Sequence, residues 1–88
     1  GDVYKRQVET SRVDSYNVDD VGLTSEDDKE VVRIALVAAE RGKVYIVTVD
    51  KHFFRDLDVG LLSKRYQHTN RINIVKPQDL LKIRKDRN

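Results

Sequence analysis

The sequence predicts an α/β domain built on a parallel β-sheet, and three observations lead to this prediction. Residues 44–49 are apolar or β-branched on both faces, which is typical of a strand that is covered on both sides. A helix-like segment precedes this run, and a second short apolar run follows at 72–75. We therefore expect parallel strands joined by a right-handed crossover and flanked by helices.

Composition narrows the class of protein. The chain has 88 residues, enough for one small domain, and it contains no cysteine, which excludes a disulfide framework and a thiolate metal site. The formal net charge is only +2, so the total charge does not predict a strongly basic surface. No apolar run approaches the ~20 residues that cross a bilayer. We expect a soluble cytoplasmic protein without a membrane partner.

The segment Leu23–Asp28 has the composition of a helix start. Ser25 is a suitable N-cap, and the acids that follow it lie where the helix dipole favours negative charge. We expect a helix from about Glu26 to Arg41 that ends at Gly42 in a left-handed conformation. At 100° per residue, one apolar stripe contains Val31, Val32, Ala35, Ala38 and Ala39. Asp28 lies in the middle of this stripe and Asp27 at its edge, so the spacing directs one carboxylate inward.

The end of the 44–49 run is the predicted location of a site. Asp50 follows the run directly, and Thr48 lies on the same face at the two-residue period of a strand. In parallel sheets, ligands bind just beyond the carboxyl ends of the strands. Asp50 and Thr48 are therefore candidate site residues, while a turn-forming role for Asp50 is the structural alternative.

The remaining segments are assigned more simply. Residues 8–22, with four isolated valines, are expected to form a loop, a marginal strand or the end of a helix. Residues 51–57 and 61–66 are expected to form short helices or turns, and 72–75 a second strand. Pro77 suits the first position of a final helix reaching about Lys85, with contacts from Leu80, Leu81 and Ile83.

Taken together, these segments resemble the C-terminal half of a PIN domain, from about Leu23 to Leu81. The resemblance lies in the acid-led helix start, in the Thr48-x-Asp50-x-x-Phe53 stretch and in the closing sequence Val75-Lys76-Pro77. It implies a three-layer fold. It also implies the activity of a metal-dependent ribonuclease that cleaves RNA phosphodiesters, a class that includes the toxins of toxin–antitoxin pairs. The partners that it implies are RNA, an antitoxin protein and a second copy of the chain in a homodimer.

The resemblance also assigns roles to residues of this chain. Asp50 matches the acid at the end of the late strand, Asp28 matches the acid at the start of the central helix with Asp27 as the alternative, and Thr48 matches a hydroxyl residue near the site. His52 stands where many members have a fourth acid. The acid of the opening strand has no counterpart. The implied cofactor is Mg²⁺ or Mn²⁺, which bind hard oxygen ligands and can activate water for in-line displacement.

The sequence also leaves two alternative functions open, and it predicts that the chain consists of two segments. A non-catalytic RNA- or protein-binding module with a PIN-like fold is the first alternative, and a receiver-like domain in which Asp50 accepts phosphate is the second. Residues 2–7 (Asp-Val-Tyr-Lys-Arg-Gln) resemble the translation of a sequencing-library adaptor. We therefore expect an adaptor-derived segment at 1–7 and the C-terminal part of one PIN-like domain at 8–88, truncated at its N-terminus and inactive by itself.

Overall fold

The structure is a computed structural model that describes residues 12–86, with side chains described for residues 12–82. It has an α/β fold with a two-stranded parallel sheet. The elements in chain order are α1 (Glu26–Ala39), β1 (Val44–Val47), α2 (His52–Arg55), α3 (Val59–Arg65), a 3₁₀ helix (Gln67–Arg71), β2 (Ile72–Val75) and α4 (Pro77–Asp86). The expected α/β class is confirmed, and the expected adaptor segment at 1–7 lies outside the described residues.

Helix α1 begins as predicted and ends differently. The Ser25 hydroxyl accepts a hydrogen bond from the amide of Asp28, which caps the first turn. The helix ends at Ala39 instead of Arg41, and Gly42 does not have the predicted left-handed conformation. The last amides bond three residues back, as in a 3₁₀ turn, and Arg71 donates to the carbonyl of Ala39 at 2.9 Å. These contacts satisfy the terminal groups without a left-handed glycine.

The buried face of α1 is shifted from the predicted stripe. Val32, Ala35, Leu36 and Ala39 are buried, whereas Val31 and Ala38 of the predicted stripe are exposed. The helix is apolar around most of its circumference between 31 and 39, so periodicity alone does not define the centre of its contact face. Packing against the sheet and the 3₁₀ helix places Leu36 at that centre.

The two strands pair in parallel from Val44 opposite Ile72 to Val47 opposite Val75. Strand β1 is two residues shorter than predicted. The Thr48 amide still donates to the Val75 carbonyl at 2.9 Å. Strand β2 ends at Val75, however, and is followed by Lys76 and Pro77. Because Pro77 has no N–H to donate, the ladder stops there.

Only one face of the sheet is covered by the described helices. Val44, Ile46, Ile72 and Ile74 pack against the hydrophobic core. On the opposite face Val47 is exposed, and Val49, just beyond the strand, is 75% exposed. The expectation that both faces are covered is therefore not met within residues 12–86.

The segment before α1 is a loop that enters the core. Within residues 12–22 the backbone has a short helical end at 12–13 and no strand, which agrees with the loop prediction; Val8 lies outside the described residues. Val18 and Val21 are fully buried. Arg65 of α3 holds this loop through two hydrogen bonds of 2.7 and 2.8 Å to the carboxylate of Asp20. The loop is thus part of the fold.

Helix α4 starts at Pro77 as predicted, but its apolar contacts differ. Leu80 is half-buried, whereas Leu81 is exposed, so the predicted contact from Leu81 is wrong. The side chain of Ile83 lies outside the described residues. No helix within residues 12–86 has the length and apolar composition needed to cross a bilayer.

Candidate functional site

Thr48 and Asp50 continue the alternation of β1 past its last strand residue. Both are half-buried, while Val47 and Val49 beside them are exposed. The Thr48 hydroxyl accepts from the Asp50 amide at 3.0 Å, and Oδ1 of Asp50 accepts from the His52 amide at 2.9 Å. Hydrogen bonds to backbone amides thus position both side chains at the carboxyl end of the sheet.

The two acids proposed for the helix start differ in burial. Asp28 lies four residues before Val32 and seven before Ala35, which are both buried, and is itself half-buried. Asp27 is exposed. The interior face of α1 therefore carries Asp28 at its N-terminal end.

His52 is the first residue of α2, and its side chain bonds to an acid just beyond the end of that helix. Its Nδ1 lies 2.5 Å from Oδ2 of Asp56, four residues on. The hydrogen bond to Asp56 raises the pKa of His52, and the negative charges of Asp50, Asp56 and Asp28 raise it further. Asp28, at the start of α1, and Asp50, directly after β1, are thus both among the charges that raise the pKa of His52. Asp56 was not among the residues predicted for the site, although the i,i+4 spacing of His52 and Asp56 could have indicated the pair.

The acids at this end of the sheet suit a weakly held hard cation. Mg²⁺ keeps several waters and is usually bound by one or two carboxylates together with substrate phosphate. Among the described residues, no three or more His, Asp or Glu side chains form a group that could hold a metal ion. The described residues thus offer two half-buried acids, Asp28 and Asp50, at this end of the sheet and no complete ligand group.

Five basic residues of a type that contacts a phosphate backbone fall into two groups. Arg65 bonds to Asp20 and to the Asn17 carbonyl, and Arg71 bonds to helix carbonyls, so both have structural partners. Lys51, Arg55 and Lys64 are exposed. Lys76, which was not considered from the sequence, lies with Nζ 5.7 Å from the centre of the Phe54 ring. Its position directly after β2 could have indicated a place near the site.

The chain was compared with protein-family models, with curated proteins and with solved structures, and none of the three comparisons found a match.

The Asp56 carboxylate should control the protonation of His52. We expect the His52 imidazole to titrate above its usual value of ~6.5. Asp56→Asn should lower this pKa the most and Asp28→Asn less, while Asp27→Asn serves as the matched control. Protonation of His52 stabilises the fold because its pKa is higher in the folded than in the unfolded chain. This contribution is fully present at pH values below the pKa of the unfolded chain, and it is lost as the pH rises through the pKa of the folded chain. NMR titration of the imidazole protons measures this, and a midpoint at or below the usual value contradicts it.

Proposed function

We propose that Asp28 and Asp50 contribute to the divalent-metal site of a PIN-type, metal-dependent ribonuclease. The observation that supports this most is that Asp28, on the interior face of α1, and Asp50, directly beyond β1, are both half-buried, and that the charges of both raise the pKa of His52. The predicted α/β order and the parallel pairing of the strands are consistent with this class. The three-layer PIN fold, with helices on the second sheet face, is part of the proposal.

Each residue then has a defined role. Asp28 and Asp50 would hold Mg²⁺ or Mn²⁺, which supplies an activated water and stabilises phosphoryl oxygens when bound. Thr48 accepts from the Asp50 amide and so fixes the backbone from which the carboxylate projects. Asp50 also caps the turn before α2 through the His52 amide. A further acid, from the opening strand of the family, would complete the ligand set.

The partners follow from the same proposal. RNA is the substrate, and an antitoxin protein or a second copy of the chain are the protein partners that a ribonuclease of this class would have in the cytoplasm. The non-catalytic RNA- or protein-binding module remains the second candidate. It is favoured by the absence of a three-residue metal group among the described residues.

Metal binding by the 88-residue chain is the direct test. We expect added Mn²⁺ to broaden the NMR signals of residues around Asp28 and Asp50 before those elsewhere. Asp50→Asn should weaken Mn²⁺ binding by ~100-fold or more, because the loss of a direct ligand should exceed the ~10–100-fold cost of an outer-shell change. Asp28→Asn should weaken it similarly, whereas Asp27→Asn is the matched control. Thr48→Val should have the smaller effect of an outer-shell change.

The outcomes separate the alternatives. If Asp27→Asn weakens binding and Asp28→Asn does not, the ligand is Asp27. Broadening spread evenly over all exposed acids would contradict the metal site and leave the non-catalytic module.

For catalysis, we expect Asp50→Asn to abolish Mg²⁺-dependent cleavage of a labelled single-stranded RNA, and His52→Ala to reduce it modestly, in a chain extended upstream as far as its reading frame allows.

A further inference from the structure

Two adjacent phenylalanines in α2 have different environments. Phe53 is 5% exposed and belongs to the hydrophobic core, whereas Phe54 is 42% exposed. A helix turns by about 100° per residue, so neighbouring side chains point in different directions. An aromatic ring that is exposed to solvent next to a candidate site is accessible for contact with a ligand.

The Phe54 side chain lines an open, mostly apolar cleft between α2, α3 and β2. Val59, Ile74 and Val75 also line the cleft, which has a volume of about 390 Å³. Sites for small organic ligands are typically about 300–1,000 Å³ and are lined by apolar side chains with a few polar groups. The volume of the cleft lies within this range, and its lining runs from the exposed Phe54 to the core residues Phe53 and Leu62.

One cation lies over the exposed ring, and two further cations are close to Phe54 in the sequence. Lys76 Nζ lies 5.7 Å from the ring centre, within the range of a cation–π contact. Lys51 directly precedes α2, and Arg55 is the last residue of α2; both are exposed. The amide of Arg55 donates to the carbonyl of Lys51 at 2.8 Å. None of these three cations forms an ion pair with an acid among the side chains of residues 12–82. Their charge is available to an anionic partner.

This cleft lies at the same end of the sheet as Asp50. Val75 pairs with Val47, and Lys76 is the next residue after Val75, so Lys76 follows β2 where Thr48 follows β1. Phe54 is four residues after Asp50, and its amide donates to Lys51 at 3.0 Å. A ligand that contacts Phe54 and Lys76 would therefore extend beside the candidate metal site.

We propose that Phe54 and Lys76 form a binding platform for single-stranded RNA, with a base in the cleft against Phe54 and the adjoining phosphates at Lys76 and Lys51. This inference rests on the proposed function and names the part of the chain that holds the substrate. Sequence-tolerant binding of single strands combines such aromatic stacking with cations that follow the backbone. An acidic peptide would match the cations but not the flat aromatic ring, so the combination favours a nucleic acid.

The test is binding of a short fluorescein-labelled oligouridine to the full 88-residue chain in EDTA, followed by fluorescence anisotropy. Phe54→Leu keeps an apolar side chain but removes the ring, and should weaken binding about 5–150-fold, which corresponds to ~1–3 kcal/mol for one stacked base. Phe54→Tyr keeps the ring and should bind like the original chain. Circular dichroism of each variant verifies that it is folded.

A second ligand isolates stacking from charge. An oligomer of the same length that lacks its bases should bind the original chain more weakly than oligouridine does, by the factor expected for Phe54→Leu. The Phe54→Leu variant should bind the two oligomers equally, because it has no ring on which a base can stack. Lys76→Gln should weaken binding and reduce the salt slope by about 0.7, the value for one phosphate contact on a single strand. Lys43→Gln is the matched control, because Lys43 is also exposed but precedes β1 at the opposite end of the sheet.

Several results would overturn the platform. They are equal affinity of the original chain for oligouridine and for the oligomer without bases, unchanged affinity in Phe54→Leu, and equal competition by a polyglutamate peptide. Equal binding of the deoxy oligomer would extend the platform to single-stranded DNA and overturn its restriction to RNA. Because EDTA removes divalent metal, these outcomes are independent of the Mn²⁺ measurement, and either proposal can fail while the other stands.

Discussion

Gly22→Ala should destabilise the fold by about 3 kcal/mol or more, because it combines backbone strain with a steric clash. Gly22 has φ +98°, a conformation that residues with a side chain rarely adopt. A Cβ atom at this position would lie 1.9 Å from the carbonyl oxygen of Asp56, so the backbone on one side must move. Urea unfolding followed by circular dichroism measures the change.

Gly42→Ala is the matched control for this substitution. Gly42 does not have positive φ, and a Cβ added there would meet nothing within 4 Å. We expect no loss, or a gain of about 0.4–1 kcal/mol from the reduced entropy of the unfolded chain. A free energy of unfolding for Gly22→Ala within about 1 kcal/mol of the original chain would show that the loop adapts without strain.

The Gly22 contact also connects the loop to the candidate site. The amide of Asp58 donates to the carbonyl of Val21 at 2.7 Å, so the loop is held against the connection between α2 and α3. Asp56, whose carbonyl faces Gly22, is the residue that bonds His52. A shift of this connection in Gly22→Ala should therefore lower the pKa of His52 towards its usual value, in any fraction of the variant that remains folded.

Leu36→Ala should cost about 2–5 kcal/mol of unfolding free energy, the range for removing a fully buried leucine. Leu36 is 0% exposed and lies at the centre of the contact between α1 and the rest of the core. The loss combines transfer of the removed methyl groups to water with a cavity that the surrounding side chains fill only in part. The same urea titration reports this loss.

Ile34→Ala is the matched control on the same helix. Ile34 is 53% exposed, so truncation removes little buried surface, and alanine has the higher helix propensity. We expect a change of less than about 1 kcal/mol. Equal losses at positions 34 and 36 would mean that the exposed side of α1 is covered in solution.

The sequence determined the features that depend on neighbouring residues. Ser25 begins α1 because its hydroxyl lies within reach of an amide three residues on, and Pro77 begins α4 because proline is tolerated in the first turn. The parallel pairing of β1 and β2 was predictable because a strand that is apolar on both faces suits a parallel sheet. The partial burial of Asp28, Thr48 and Asp50 was predictable because helix and strand periods place them on inward-facing positions.

The remaining features depend on contacts between residues far apart in the chain, and only the tertiary structure decided them. The helix C-cap pattern predicted a left-handed Gly42, whereas Gly22 is the residue with positive φ within 12–86, and the backbone of Asp56 also leaves no room for a side chain there. Several apolar faces of α1 were available, and packing selected the face that contains Leu36. Phe53 and Phe54 have the same chemistry in sequence. Their separation into a core residue and an exposed ring beside Lys76 follows from the direction in which α2 packs against the hydrophobic core, a three-dimensional property that local sequence does not encode.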